Sequence, residues 1–453
     1  MTRAALALAL AALVLPEAAS AHGIGGVKDL PVPLWLFYYG GAVVLVVSFA
    51  ALGALWRKPR LDENTDRPLP FSLGRWLRVI VGAISLGLFV LVFLAALAGE
   101  RSIGSNLAPT FVWVVFWLGL VPVVVILGNV WTWLSPWRAA ADFVAWCWER
   151  AGLEWEPIAH YPERLGRWPA AALLFAFATL ELAYSEPSDP RALALAIAIY
   201  SWITWLGMTI FGRDAWTEGG EAFHVYFGFL GRLSPFAIKK GRVVLHRPLH
   251  GVSRLHEEPG TVAFVAVMLG SVAFDGFSRT AFWQDRIFGL DTELSVFGLS
   301  LFGLAVAVAV VAAAFLLAVE AARIVARSRE RLAEAFIGSL IPIALAYAVA
   351  HYFSLLILQG QLVVPLASDP FGFGWDILGT LDYRIRTTPQ SPNTIWYVQV
   401  VALVAGHVLA LVIAHDRAIV LFRSGTVALR TQYAMLALMV LYTIGGLWLL
   451  SRG

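Results

Sequence analysis

Residues 295–324, SVFGLSLFGLAVAVAVVAAAFLLAVEAARI, contain no ionisable side chain before Glu320. A helix needs about 20 predominantly apolar residues to cross the hydrocarbon core of a bilayer, so this stretch is long enough to span a membrane. Apolar runs of spanning length recur near residues 33–56, 76–98, 109–134, 168–184, 190–212, 260–277, 332–358, 394–414 and 430–450. The sequence therefore predicts an all-α, polytopic transmembrane helix bundle of about ten spans.

The composition of the 453-residue chain agrees with this fold class, because 59% of its residues are hydrophobic and only 14% are charged. A soluble domain carries about a quarter charged residues. The net charge of +3 is too small to indicate a macromolecular partner, so the lipid bilayer is the expected partner and no nucleic acid is expected. Cys147 is the only cysteine, which excludes an intrachain disulfide and a cysteine-based metal cluster.

The first residues, MTRAALALALAALVLPEAASAHG (1–23), combine a basic start, an apolar run and the small residues ASA, as secretory signal peptides do. We expect residues 1–21 to be removed as a signal peptide, which leaves residues 22–453 as one transmembrane helical domain. An uncleaved first helix is the alternative. Cleavage would place His22 at the N-terminus, where its amine and a ring nitrogen together make a candidate copper site.

The distribution of Lys and Arg sets the expected orientation, because cytoplasmic loops carry the basic excess. Residues 56–78 and the segment KKGRVVLHRPLHGVSR (239–254) are basic, whereas GERSIGSNLAPT (99–110) is poor in basic residues. The mature N-terminus is therefore expected outside. Residues 221–236 are apolar but short and have cytoplasmic flanks, which predicts a re-entrant or interfacial segment. The long external loop at 361–393 is predicted to be an ordered cap over the bundle.

Among the ionisable residues inside the predicted spans, where such side chains are costly and usually face the bundle interior or a cavity, two histidines and two carboxylates lie in the outer half of the membrane. His351 lies about ten residues from the outer end of its span, and His407 lies about a dozen residues from the outer end of the next. Consecutive antiparallel helices are usually neighbours, so the two imidazoles could meet. Glu181 and Asp275 lie close to the outer ends of two further spans. We therefore predict a polar site in the outer half of the bundle.

The residue types at this site suit metal chemistry. Imidazole and carboxylate groups bind zinc and copper, so His351, His407 and His22 are candidate metal ligands. Asp275 and Glu181 are candidate catalytic groups, each as a general base or a further ligand. A zinc ion with an open position lowers the pKa of its bound water to about 7 and makes a nucleophile for hydrolysis. The spans contain no HExxH spacing, and the alternative is that each histidine forms one interhelical hydrogen bond.

Two further groups of residues have patterns that resemble sites, although we expect them to be structural. Glu221 and His224 have the spacing of a carboxylate–histidine metal pair, but they are expected at the inner interface without an obvious partner. His246, His250 and His256 lie among Lys and Arg residues in the basic loop. Contact with anionic lipid headgroups is the expected role of that loop.

Four stretches of the chain carry a resemblance to a known family. They are AHGIGGVKDLPVPLWLFYYG (21–40), GNVWTWLSPWRAA (128–140), VAFDGFSRT (272–280) and TIWYVQVVALVAGHVLALVIAHDRA (394–418). These stretches resemble bacterial polytopic membrane proteins known as fenitrothion hydrolases, and the similarity covers most of the mature chain. The resemblance implies a bacterial cytoplasmic membrane protein that hydrolyses an organophosphate triester to a nitrophenol and a dialkyl phosphorothioate. It assigns no role to any single residue.

Two other classes of function fit the same residues. A metal- or proton-coupled transporter would use buried ionisable groups and discontinuous helices near the middle of the membrane. A copper-handling assembly factor would use a cleaved N-terminus at His22. The expected ligand is accordingly an apolar small molecule or a metal ion.

Overall fold

The computed structural model of the protein describes residues 33–61, 66–72, 74–239, 241–253, 255, 258–327, 332–386, 392–422 and 424–451. The expected signal peptide at 1–21 and the candidate ligand His22 lie outside the described residues. The helices are, in chain order, α1 (Leu34–Leu55), α2 (Arg75–Ala98), α3 (Leu107–Leu127), α4 (Trp131–Leu134), α5 (Pro136–Arg150), α6 (Trp168–Leu182), α7 (Pro190–Phe211), α8 (Arg213–Gly219), α9 (Ala222–Gly231), α10 (His250–Ser253), α11 (Thr261–Ser278), α12 (Ala281–Ile287), α13 (Glu293–Ala326), α14 (Leu332–Phe336), α15 (Ile341–Gln359), α16 (Val363–Ser368), α17 (Pro392–Leu421), α18 (Gly425–Thr431) and α19 (Tyr433–Leu450). The strands are β1 (Arg67–Ser72), β2 (Phe236–Lys239) and β3 (Arg242–Leu245).

Nine helical stretches within the described ranges are long and apolar enough to cross a membrane. They are α1, α2, α3, α7, α11, α13, the stretch from α14 to α16, α17, and the stretch from α18 to α19. The tenth predicted span is present as α6, whose 15 residues rise about 22 Å and are short for a hydrocarbon core of about 30 Å. The prediction of an all-α, polytopic bundle is therefore confirmed.

Local sequence explains where several of these helices begin and end. The α7 helix begins where the Asp189 carboxylate accepts a hydrogen bond from the Arg191 backbone N–H at 2.6 Å, with Pro190 in the first turn. It ends before Gly212, whose φ of 90° is a conformation that glycine adopts without steric cost. The α3 helix changes to π-helical geometry over Phe111–Gly119, and such segments are frequent at functional sites.

The bundle has two ends, which we call the cap face and the basic face. The cap face carries residues 99–106 and the loop after α16, which meet where the Glu100 N–H donates to the Phe371 carbonyl at 2.8 Å. The basic face carries residues 56–61 and the three strands. Because successive spans alternate in direction, α6 and α11 both end at the cap face.

A three-stranded antiparallel sheet lies at the basic face, and the sequence prediction did not include it. The strand order is β1-β3-β2, with Phe236 opposite Leu245 and Arg67 also opposite Leu245. The turn between β2 and β3 contains Gly241, whose φ of 75° is the left-handed conformation that tight hairpins require. These strands are too short for a clear period-2 signal in the sequence.

The segment from α8 to α9 is a helical hairpin that enters and leaves at the basic face. The α8 helix turns back along α7, where an added Cβ on Gly207 would overlap the Trp216 indole. The turn at Glu221 lies beside Tyr200, halfway along α7. The α9 helix then returns to the basic face, where the Ser234 hydroxyl donates to the Ile126 carbonyl at 3.0 Å. The hairpin therefore has the course of a re-entrant segment, and it begins earlier than the predicted residues 221–236.

Candidate functional site

A buried carboxylate–imidazole pair joins two spans near the cap face. Asp275 lies three residues before the end of α11, and His351 lies eight residues before the end of α15. His351 Nε2 lies 2.6 Å from Asp275 Oδ2, and both side chains are about one-tenth exposed. The short distance and the burial couple the charges of these two side chains within the bundle interior.

Tyr352 connects this pair to the second predicted carboxylate. Its hydroxyl lies 3.1 Å from Glu181 Oε1 and 3.2 Å from Asp275 Oδ2. A hydroxyl has one proton, so it cannot donate fully to both carboxylates at once. When one carboxylate carries a proton, that carboxyl donates to the Tyr352 oxygen and the Tyr352 hydroxyl donates to the other carboxylate. The three groups then form a complete hydrogen-bond chain.

Arg279 provides the cationic contact of the cluster at the cap face. Its Nε and Nη2 atoms lie 3.3 Å and 3.2 Å from Asp275 Oδ1, and its side chain is 56% exposed. Two carboxylates and one guanidinium leave one negative charge when His351 is neutral. One added proton, on His351 or on Glu181, brings the cluster to neutrality, which is the favoured state of a group within a membrane.

A cavity of about 160 Å³ adjoins His351. Its polar lining consists of Arg279, His351, Ser354 and Gln399, and the remaining wall comes from apolar residues and Tyr347. The cavity therefore places a space large enough for water or a small solute beside His351, whose Nε2 contacts Asp275.

A layer of aromatic side chains lies on the other side of Tyr352. The ring centroids of Trp117 and Tyr226 are 4.6 Å apart, and those of Trp117 and Phe177 are 4.8 Å apart. These residues and Tyr352 surround a gap of only about 10 Å³. A gap of that size holds at most about one water molecule. The aromatic layer therefore separates the cluster at Asp275 from the interior nearer the basic face.

A further buried carboxylate, Glu221, lies beyond this layer at the turn of the re-entrant hairpin. Glu221 is completely buried and caps the N-terminus of α9, because its oxygens accept the N–H groups of Phe223 at 2.9 Å and His224 at 2.8 Å. Trp131 Nε1 donates to it at 3.3 Å, and the Tyr200 hydroxyl is a fourth donor. The spacing of Glu221 and His224 resembles that of a metal pair, although a structural role at the inner interface is what the sequence favours. The structure shows a helix cap, and it lies beside the middle of α7 and not at the inner interface. The glutamate directly before an apolar helical run is the signal that identifies it.

His407 is buried and does not meet His351 as the sequence predicted. Its Nδ1 lies 2.8 Å from the Leu403 carbonyl oxygen, and its ring centroid is 6.1 Å from that of Tyr347, one helical turn from His351. Among the contacts of the described residues, no hydrogen bond or ring contact joins the two imidazoles. Counting residues from the span ends placed both at one depth, but α17 packs with Gly406 against Ala346, which sets His407 level with Tyr347.

The structure thus brings together Asp275, Glu181 and His351 of the predicted site and leaves His407 apart. Within the described part of the chain, no group of three or more His, Cys, Asp or Glu side chains is arranged to hold a metal ion. The zinc or copper site expected at His351, His407 and His22 therefore stays a prediction. Sequence reasoning did not identify Tyr352 or Arg279, which connect the cluster.

The histidines of the basic loop have local structural contacts. His250 Nδ1 lies 2.8 Å from the Leu61 carbonyl oxygen, and the rings of His246 and His250 are 5.7 Å apart. His250 thereby attaches the loop to the end of α1. His256 lies outside the described residues.

Comparison of the chain with protein-family models, with curated proteins and with solved structures found no match. The resemblance to fenitrothion hydrolases stays a prediction on the residues that carry it.

Proposed function

We propose that this protein is a proton-coupled transporter in which Asp275, His351, Tyr352 and Glu181 form the proton-binding site. The observation that carries the proposal is the presence of two buried carboxylate centres on opposite sides of the aromatic layer. One centre is the Asp275 cluster near the cap face, and the other is Glu221 at the turn of the re-entrant hairpin. A carrier needs a site that takes up and releases protons inside the membrane and a barrier that closes on either side of it.

The Asp275 cluster suits reversible proton binding because its charge and its hydrogen bonds both change with one proton. Arg279 neutralises one carboxylate, and a proton on His351 or Glu181 neutralises the other. The cavity at His351, Ser354 and Gln399 supplies the path by which that proton arrives.

The re-entrant hairpin suits a moving gate. Its two helices have 7 and 10 residues, and each is joined to its neighbours through glycine, at Gly212, Gly219, Gly220 and Gly231. Short helices that pack against the bundle without crossing it are the discontinuous elements that secondary transporters place near the middle of the membrane. A small displacement of this hairpin would open the aromatic layer through Phe223, which packs on Phe177 with ring centroids 5.1 Å apart.

The cap face is proposed to lie outside and the basic face in the cytoplasm of a bacterial cell. The support is the excess of Lys and Arg in the loops of the basic face, which follows the rule for orientation in bacterial inner membranes. In this orientation the Asp275 cluster takes its protons from the outside.

The test uses the purified protein in liposomes that contain a pH-sensitive dye. Amino acids, sugars, organic anions, divalent metal ions and lipophilic cations are added outside, one class at a time. We expect one class to drive proton movement that Asp275→Asn lowers more than tenfold and that Glu320→Gln leaves unchanged. Glu320 is a suitable control because it forms an exposed ion pair with Arg323, away from the cluster. The proposal would be excluded if proton movement persists in Asp275→Asn. It would also be excluded if no class of solute drives proton movement in the wild type.

The resemblance and one further observation favour hydrolysis of an organophosphate triester as a second candidate. Asp275 orients the His351 imidazole beside a cavity, which is the arrangement of a general base. In such a reaction the imidazole takes a proton from water, the water oxygen bonds to phosphorus, and the nitrophenolate leaves as its bond to phosphorus breaks. Arg279 lies close enough to the cavity to stabilise the negative charge that develops. Fenitrothion and the purified protein test this directly: release of nitrophenolate that survives His351→Ala would exclude this mechanism.

Metal dependence and copper handling are separate proposals with separate tests. Zinc or copper bound through His351 and His407 would be detected by elemental mass spectrometry of the purified protein and would be lost in the double variant His351→Ala, His407→Ala. Metal that survives those substitutions would point to His22, and mass spectrometry of the mature chain would establish whether His22 is its N-terminus.

A further inference from the structure

A second cavity lies outside the Asp275 cluster, on the lipid side of Glu221. It has a volume of about 450 Å³ and is lined by α2, α3, α6 and α7 with the ends of α4, α5 and α9. Its wall includes Leu88 and Ile199, which are 38% and 51% exposed on the outer surface of the bundle. The cavity therefore opens sideways towards the bilayer, and its volume suits a drug-sized molecule.

The wall of this cavity is apolar and strongly aromatic. Adjacent rings pack in edge-to-face or tilted pairs, with centroids 5.6 Å apart for Phe89 and Trp137, 4.9 Å for Trp137 and Tyr200, and 5.3 Å for Phe116 and Trp131. Aromatic faces carry negative electrostatic potential and attract organic cations, most strongly where water is excluded. A hydrophobic cation therefore gains from this wall both the burial of its apolar surface and an electrostatic attraction.

Glu221 lies directly behind this aromatic wall. Three of the groups that donate hydrogen bonds to its carboxylate, those of Trp131, Tyr200 and Phe223, belong to residues that line the cavity. All four of its donors are neutral, so they stabilise the carboxylate without cancelling its charge. A carboxylate charge favours a cation over a neutral molecule, and an apolar wall screens that attraction less than water does.

We propose that this cavity binds a monovalent lipophilic organic cation that enters from the bilayer, with Glu221 as its counter-charge. Only the identification of this cation as a transported substrate rests on the proposed transporter function. Binding itself depends on the cavity and on the charge of Glu221.

The test measures equilibrium binding of tetraphenylphosphonium to the protein in lipid nanodiscs, with empty nanodiscs as the blank. Tetraphenylborate is the matched probe because it has the same shape and the opposite charge. Ala196→Trp fills the cavity from α7, whereas Ala198→Trp places the same side chain on an exposed position of that helix. We expect saturable binding of the cation in the wild type and in Ala198→Trp, and at least a tenfold loss in Ala196→Trp. Glu221→Gln should weaken binding by about tenfold or more.

Three results would each overturn the proposal. They are the absence of saturable cation binding to the wild type, equal binding of tetraphenylborate, and unchanged cation binding in Ala196→Trp. Glu221→Gln perturbs a helix cap, so its thermal stability is measured alongside. If that variant does not fold, the borate and tryptophan comparisons decide the question. Nanodiscs hold no proton gradient, so the binding measurement is independent of proton coupling. Absence of cation binding would not contradict proton coupling at Asp275, and absence of coupling would not contradict the cation site.

Discussion

His351 Nε2 and Asp275 Oδ2 lie 2.6 Å apart, although 76 residues separate the two side chains in the chain. The contact joins α15 to α11 within the apolar bundle, where a charged group without a partner is costly. Removing either residue therefore leaves the other without its buried partner, which changes the stability of the bundle and its proton binding together.

Tyr352→Phe keeps the ring and removes the hydroxyl that lies between Glu181 and Asp275. We expect a loss of about 1 kcal/mol of unfolding free energy, typical of one interhelical hydrogen bond in a membrane protein. Because the two carboxylates lose their shared donor, proton movement in liposomes should fall as well. The control is Tyr442→Phe, whose hydroxyl makes only a 3.5 Å contact with the Val311 carbonyl. Equal effects of the two substitutions would show that the position of the Tyr352 hydroxyl has no special role.

Glu221→Ala removes a carboxylate that accepts four hydrogen bonds in the buried turn of the hairpin. We expect a loss of about 3 kcal/mol or more, because several buried donors lose their acceptor at once. Tyr200→Phe removes one of these donors and should cost about 1 kcal/mol. Thermal unfolding in detergent compares them, and a Glu221→Ala variant as stable as Tyr200→Phe would contradict the proposed anchoring role of the cap.

Gly207→Ala tests the close packing of the re-entrant hairpin on α7. An added methyl group would overlap the Trp216 indole, so we expect lower thermal stability and easier proteolysis at the basic face. Gly40→Ala is the matched control in α1, because an added Cβ there meets no atom within 4 Å. The control should be neutral or slightly stabilising through its better helix propensity. Restored stability in the double variant Gly207→Ala, Trp216→Leu would establish the contact as the cause.

The cap loop is predicted to lose order in acid. The Ser368 hydroxyl donates to Asp376 at 2.7 Å and the Leu381 N–H donates at 3.1 Å, which lowers the pKa of that carboxyl below its ordinary value. A carboxyl with a lowered pKa stabilises the folded loop above its ordinary pKa of about 3.9, and the stabilisation is lost as the pH falls through the lower folded value.

The measurement is hydrogen exchange of residues 368–381 from pH 7 down to pH 3. Protection factors, which correct for the intrinsic pH dependence of exchange, should be constant in the wild type to about pH 4 and then fall. Asp376→Asn should exchange faster at neutral pH and show a smaller change in acid. A wild-type loop whose protection does not change over this range would contradict the assignment.

Asp416→Ala should detach the segment after α1 from the basic end of α17. The buried carboxylate accepts the Trp56 indole N–H at 2.8 Å and the backbone N–H groups of Arg60 at 2.6 Å and Leu61 at 3.2 Å. Loss of three partners should cost about 2–4 kcal/mol, and Asp416→Asn, which keeps one acceptor oxygen, should cost less. Thermal unfolding distinguishes the two, and equal stability of both variants would exclude an acceptor role.

Part of the candidate site was accessible from the sequence. Asp275, Glu181 and His351 are visible because ionisable residues are rare in apolar runs, and the ends of the runs give their approximate depth. The rotation of each helix is not visible in this way. The axial offset between helices is not visible either: counting residues placed His407 at the depth of His351, whereas the packing of Gly406 on Ala346 sets its ring level with Tyr347.

The sequence by itself determined the fold class, the approximate bounds of the spans and the existence of the short segment around Glu221. Those features follow from the length of uninterrupted apolar runs, which the thickness of the bilayer converts directly into membrane crossings. Only the tertiary structure decided that Tyr352 joins Glu181 to Asp275, that Glu221 caps a helix beside Tyr200, and that an aromatic cavity opens between α2 and α7. These relationships depend on helix rotation and on contacts between distant parts of the chain, and a local apolar pattern contains no information about either.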